Sequence, residues 1–157
     1  MSDSRRTQAW TAAIGVAALV WTMGAAAGPV AVVTAARAQA PAAASVWSGV
    51  YTEAQAARGM AIYKQRCISC HGDKLDGGMG PSIAGPDFMA EWQGRSASDL
   101  FERTQLTMPL DDPGKLTPKE VADLLAYVFS VNTFPAGQAE LPADRDALAP
   151  IRIQASK

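Results

Sequence analysis

A chain of 157 residues with 14 Lys+Arg against 15 Asp+Glu is sized for a single domain, and it offers no basic stripe for nucleic acid. Both of its cysteines and its only histidine fall between positions 67 and 71, so soft-ligand metal chemistry or thiol chemistry is confined to one short run.

The first forty residues are unlike the rest. Arg5 and Arg6 precede an uncharged run from Thr7 to Ala36, and "AARAQA" follows. Within it Ala36-Arg37-Ala38 has the small-x-small form of a signal-peptidase site. Cleavage after Ala40 leaves Pro41 first, so cleavage after Ala38 is preferred. The expectation is a signal peptide over 1–38 and export to the periplasm. A retained membrane anchor is the alternative, because the uncharged run is long enough to span a bilayer. Gly24, Gly28 and Pro29 interrupt that run and favour cleavage. "SRRTQAW" lacks the strongly apolar residue that follows a twin-arginine pair, and no cysteine near the cleavage site could carry a lipid. Removing Arg5, Arg6, Arg37 and Asp3 leaves 11 Lys+Arg against 14 Asp+Glu, a net charge of −3 from Gln39 onward.

Residues 39–51 read as a flexible leader. A helix starts at Thr52, with Thr52 and Gln55 in a capping box and with Ala56, Gly59, Met60 and Tyr63 on one face. Residues 71–86, rich in Gly and Pro, read as loop, and "AEWQ" reads as a short helical turn. Ser96 caps a further helix with Leu100, Phe101 and Thr104 inward, and "TMPLDDPGKL" is a second loop. The strongest local signal is "LTPKEVADLLAYVFSVN". There Thr117 is the N-cap, Pro118 takes the first helical position and Glu120 completes a capping box. Val121, Leu124, Leu125 and Val128 form an i, i+3, i+4, i+7 stripe with Tyr127 at its margin, and Asn132 ends the helix. Residues 135–157 hold Pro135, Gly137, Pro142 and Pro150 and read as a surface-wrapping tail without regular structure. No strand-like alternation of useful length occurs, so 52–134 is expected to be an all-α domain of three to four short helices and long loops. So much loop leaves a modest apolar core, worth only a few kcal/mol. A large apolar cofactor would fill the interior.

Cys67-Ile68-Ser69-Cys70-His71 fits C-x-x-C-H, the attachment sequence for c-type haem. Cysteines three apart at a helix end present both thiols on one side, where each can add to a haem vinyl group as a thioether. The next residue, His71, is then held beneath the ring to ligate iron. Attachment of this cofactor outside the cytoplasm agrees with export. Two rival readings are weaker. A structural zinc site wants four ligands, and a thioredoxin-like dithiol expects a βαβ pattern around it.

These residues, with a Gly80-Pro81 loop, a downstream Met108-Pro109 and a last helix carrying Tyr127, resemble the class I c-type cytochromes over roughly residues 52–132. The resemblance implies that the first and last helices cross near a right angle, with Gly59, Tyr63, Leu124 and Tyr127 at the contact. It also implies a sixth iron ligand, sought among six methionines. Met1 and Met23 leave with the signal peptide, and Met60 and Met89 read best as packing residues. Met79 sits in the loop expected on the proximal side. Met108 fits the family's distal methionine in spacing and context. By the same resemblance the Pro81 carbonyl accepts from the second N–H of His71, the bland alternative being a turn proline without that contact. Trp92 and Arg95 are candidates to hydrogen-bond a haem propionate, Arg95 being equally readable as a solvated charge.

A His/Met-ligated iron has both axial positions filled, which points to a one-electron carrier and not to an enzyme. The alternative is an open-site haem protein that binds peroxide or a gas, for which no distal histidine or evident acid–base group is supplied. "VWSGVYTEAQAARG", "GPSIAGPDFMAEWQGR" and "TMPLDDPGKL…YVFSVNTFPAG" resemble bacterial cytochromes that accompany pyrroloquinoline-quinone (PQQ)-dependent dehydrogenases. That resemblance implies redox protein partners, with such a dehydrogenase as donor and an oxidase or another cytochrome as acceptor. Trp47 and Tyr51 either dock a partner of this kind or cover the haem edge.

Overall fold

The computed structural model describes residues 44–156. The expected signal peptide, its cleavage site and the start of the leader lie outside the described residues. Six α-helical segments occur among the described residues, and no strand does. They are α1 (Glu53–Arg66), α2 (Ile68–His71), α3 (Gly85–Trp92), α4 (Ala97–Thr107), α5 (Pro118–Val131) and α6 (Arg145–Leu148). None is long and apolar enough to cross a membrane.

Local chemistry starts the longer helices where the sequence places them. The Thr117 hydroxyl accepts from the Glu120 N–H, and Glu120 accepts in return from the Thr117 N–H at 2.8 Å. Ser96 and Asp99 make the same reciprocal pair at the start of α4. Such a box satisfies two of the backbone donors that a helix start leaves orphaned. At α1 only half of the expected box forms. Thr52 accepts from the Gln55 N–H at 3.1 Å, but the Gln55 side chain turns inward and is 1% exposed. Its amide N–H donates to the Leu141 carbonyl at 3.0 Å, and its carbonyl accepts from the Leu141 N–H at 2.7 Å.

α1 crosses α5, and this contact organises the domain. The Val121, Leu124, Leu125 and Val128 stripe is buried as expected. On α1 the buried face holds Gln55, Ala56, Gly59 and Tyr63, whereas Met60 faces solvent at 38% exposure, which corrects its expected inward position. At the crossing the α1 backbone meets that of α5 at Gly59, where a Cβ would fall on the Asp123 carbonyl and lie 2.9 Å from the Tyr127 Cβ. The Tyr63 and Tyr127 rings flank it with centroids 5.3 Å apart.

Two further expectations are corrected. The loop predicted over 71–86 ends at Gly85, and "AEWQ" is the end of an eight-residue helix. Pro86 starts that helix instead of breaking it, since its fixed φ and missing N–H suit the first turn, and Phe88 buries the helix. The tail is also more than a surface wrap. It contains α6, and it buries Leu141, Leu148, Ile151 and Ile153. Its backbone joins both the leader and the α3–α4 turn. The Arg152 N–H donates to the Ala44 carbonyl at 2.7 Å, the Val46 N–H to Arg152 at 3.0 Å and the Ala97 N–H to Ile151 at 2.8 Å. Arg145 pairs with Glu102 on α4 at 2.7 Å.

An ion-pair cluster backs the crossing. Arg58 pairs with Asp123 at 2.9 Å and with Glu140 at 2.8 Å, while Lys119 reaches Asp123 at 3.2 Å. Burial pushes the Asp123 carboxyl up, but hydrogen bonds from Arg58 and Lys119 outweigh it and hold the pKa below the usual value. A carboxyl with a lowered folded pKa stabilises the fold fully above its unfolded value of about 3.9 and loses that contribution as pH falls through the folded value. Asp123→Asn is therefore expected to lose about 1–2 kcal/mol at neutral pH and progressively less below about pH 4. Urea midpoints measured across pH check this, and a constant loss at every pH would place the acid sensitivity elsewhere.

Candidate haem site

α1 ends at Cys67, whose N–H still donates to the Tyr63 carbonyl at 2.9 Å, and the one-turn helix α2 follows directly. The Cys70 and His71 N–H groups both donate to the Cys67 carbonyl, at 3.1 and 3.0 Å, which winds the two thiols and the imidazole into one turn. Both cysteines are free and half-buried. Burial pushes the Cys67 thiol up to about 11, with the Arg66 charge opposing and Cys70 adding to the rise.

The loop after α2 folds back on this turn. The Gly77 N–H donates to the His71 carbonyl and the Gly80 N–H to the Cys70 carbonyl, each at 2.9 Å, and the Tyr63 hydroxyl donates to Gly72 at 2.6 Å. Gly80 lies against the imidazole, where a Cβ would sit 3.0 Å from the His71 Cε1. That approach brings the Pro81 carbonyl 2.8 Å from His71 Nδ1. A carbonyl only accepts, so Nδ1 carries a proton, and in the neutral imidazole Nε2 is the nitrogen left with the lone pair. A ring nitrogen held in this way is suited to ligate a metal.

A cavity of about 1330 Å³ opens beside this turn and is lined by Cys67, Cys70 and His71 together with Pro81, Trp92 and Met108. It is larger than the roughly 300–1,000 Å³ of an ordinary ligand pocket. Leu100, Leu124, Leu125 and Val128 face it, so the apolar stripes of α4 and α5 pack toward the cavity. Among the described residues no buried side-chain polar atom lacks a hydrogen-bond partner, and the cavity offers an apolar wall beside two thiols and one imidazole, with charged side chains such as Arg66, Arg103 and Asp111 also lining it. This donor set and volume fit haem joined through two thioethers.

The methionines are separated by position. Met108, the C-cap of α4, lines the cavity. Met79 reaches the cavity's edge but is 84% exposed. Met89 faces a different cleft of about 240 Å³, shared with Trp47 and Phe134. Met60 lines neither.

Trp92 lines the cavity and Arg95 does not. The Arg95 guanidinium stacks over the Trp92 ring at 5.4 Å and pairs with Glu91 at 3.2 Å. The cations that do line the cavity are Arg66 and Arg103. Arg103 follows Leu100 by three on α4 and precedes Thr104, a helical spacing that sequence alone could have flagged. Trp47 and Tyr51 do not cover the cavity either. Tyr51 is buried with its hydroxyl donating to the Phe134 carbonyl at 2.6 Å, and the Trp47 indole N–H donates to the Gln154 carbonyl at 2.9 Å.

A sequence profile for the family described as "Cytochrome C oxidase, cbb3-type, subunit III" matches residues 54–128, the stretch that contains every cavity-lining residue named above. That stretch is similar to c-type cytochrome domains. It is similar to the protein "Cytochrome c-553-like" of Synechocystis sp., with 37% identity over 75 residues, 45% of this chain and 64% of that relative. The chain thus spans less than two thirds of the relative's length. No solved structure matches significantly. The fold is the small all-α class I cytochrome c fold, and the cofactor is covalently bound haem c. Cys67 and Cys70 are the residues that would hold haem c, which would supply an iron that gains and loses one electron.

Proposed function

We propose that the protein is a periplasmic one-electron carrier whose haem iron is ligated by His71 and Met108. The observation that carries this reading is the shared cavity. Met108 lines the cavity that holds His71, while Met79 is an exposed rim residue, Met89 serves another cleft and Met60 faces solvent. The Pro81 carbonyl orients His71, and a thioether ligand from Met108 would favour the ferrous state and raise the potential. Trp92 and Arg103, both lining the cavity, are the donors assigned to the haem carboxylates in place of Arg95. The N-terminal pattern supports export. A dehydrogenase is the donor, and an oxidase or another cytochrome the acceptor. The narrower choice of a PQQ-dependent dehydrogenase rests on the resemblance of the three sequence stretches alone.

The test is the optical spectrum of protein matured in a periplasm, ferric and ferrous, with and without carbon monoxide. Wild type is expected to be low-spin and to ignore carbon monoxide, and Met108→Ala is expected to bind it. A wild type that binds carbon monoxide readily would replace the carrier with an open-site enzyme or sensor.

A further inference from the structure

The loop after α4 contributes to the cavity wall. Met108, Pro109, Leu110 and Asp111 line the cavity, and so do Arg66 and Cys67. Residues 110–115 are exposed, and the buried Leu116 anchors the far end of the loop. Between these ends the backbone bond from the Asp112 N–H to the Pro109 carbonyl, at 3.0 Å, is internal to the loop. Among the described residues, one side-chain bond ties residues 108–116 to the rest of the domain. Arg66 Nη2 donates to Asp112 Oδ2 at 3.4 Å. Its position is what matters. Arg66 directly precedes Cys67, and Asp112 lies four residues beyond Met108, so this pair joins the haem-bearing turn to the methionine-bearing loop.

We propose that Arg66 and Asp112 form a clasp: a positioning pair that holds the Met108 loop over the cavity, slows displacement of Met108 from iron by an outside ligand and loosens as ionic strength rises. The proposal rests on the reading of Met108 as axial ligand. Both side chains are partly solvated, at 40% and 50% exposure, so the pair is open to screening by salt. An exposed pair of this kind is modest, and its loss should raise loop opening about two- to fivefold. Asp111, next in line, adds a second negative charge to the same loop. Glu120, at the start of α5, also feels the Arg66 charge. Changes at Asp112 therefore isolate the clasp, whereas changes at Arg66 also touch the α5 cap.

The test uses ferric holoprotein and follows, by stopped-flow absorbance, displacement of the axial ligand by imidazole at low and at high salt. The wild-type rate is expected to rise about two- to fivefold with salt. Asp112→Asn and Arg66→Gln should react at the high-salt rate at every ionic strength. The charge exchange, Arg66→Asp with Asp112→Arg, should recover slow, salt-sensitive displacement. A purely structural role would shift thermal midpoints without moving the salt dependence. A wild-type rate indifferent to salt, or single variants that react like wild type, overturns the clasp while a changed Met108→Ala spectrum leaves the ligand assignment standing. A Met108→Ala spectrum identical to wild type overturns that assignment and the clasp together.

Discussion

Gly59→Ala is expected to destabilise the domain by about 3 kcal/mol, although alanine is the better helix former by about 1 kcal/mol. The added methyl group meets the Asp123 carbonyl and the Tyr127 Cβ, atoms that belong to the facing helix and not to a flexible side-chain end. α1 must then withdraw from α5. The Tyr63 and Tyr127 rings and the Arg58–Asp123 pair, which all depend on that spacing, loosen with it. Tyr63 also ties α1 to the loop after His71, so the haem site is disturbed from behind. The urea midpoint is the measurement. A loss below about 1 kcal/mol would mean that the crossing relaxes at little cost. The reverse design, Gly137→Ala, meets backbone at Gly49 in the leader and should loosen only the tail.

Gln55→Leu, nearly the same size, is expected to cost about 2–4 kcal/mol by a different route. Both side-chain amide atoms of Gln55 bond the backbone of Leu141, and both residues are buried. Leucine leaves the Leu141 N–H and carbonyl facing an apolar wall, and each orphaned group costs about 1–3 kcal/mol. The tail can escape part of that penalty by leaving the surface and hydrating these groups. The expected signature is therefore local: fast hydrogen exchange at Leu141 and through α6, with α1 and α5 still protected. Uniform loss of protection would show instead that the tail and the helical crossing unfold as one unit.

These two sites mark what the sequence reveals and what it hides. The capping pairs Thr117–Glu120 and Ser96–Asp99, the α5 stripe and the C-x-x-C-H turn are set by neighbours within about one helical turn, and each is legible from spacing. Met108 is legible because proline follows it between two helices. By sequence Gln55 reads as the second half of a local box, since the signal i, i+3 is the same whether the amide turns back or inward. Its true partner is 86 residues away. Arg95 and Arg103 are chemically alike, and only the tertiary structure decides that Arg103 lines the cavity while Arg95, in the turn after α3, pairs with Glu91. α3 itself hides behind Gly85-Pro86, a pair that punctuates most chains but begins a helix here. In the tail, proline obscures a scatter of apolar residues that follow no helical or strand period and become core through contact with the leader, α1 and α4.

That seam between Ala44 and Arg152 has a topological consequence. The chain enters and leaves the described domain side by side, while the residues lining the cavity run only from Tyr63 to Val128. A tether spliced at residue 44, or a cargo fused beyond residue 152, would thus grow from a single root outside the redox mouth. Such a domain can be leashed at either end, or re-spliced with its two ends joined, without recruiting any residue that faces the iron.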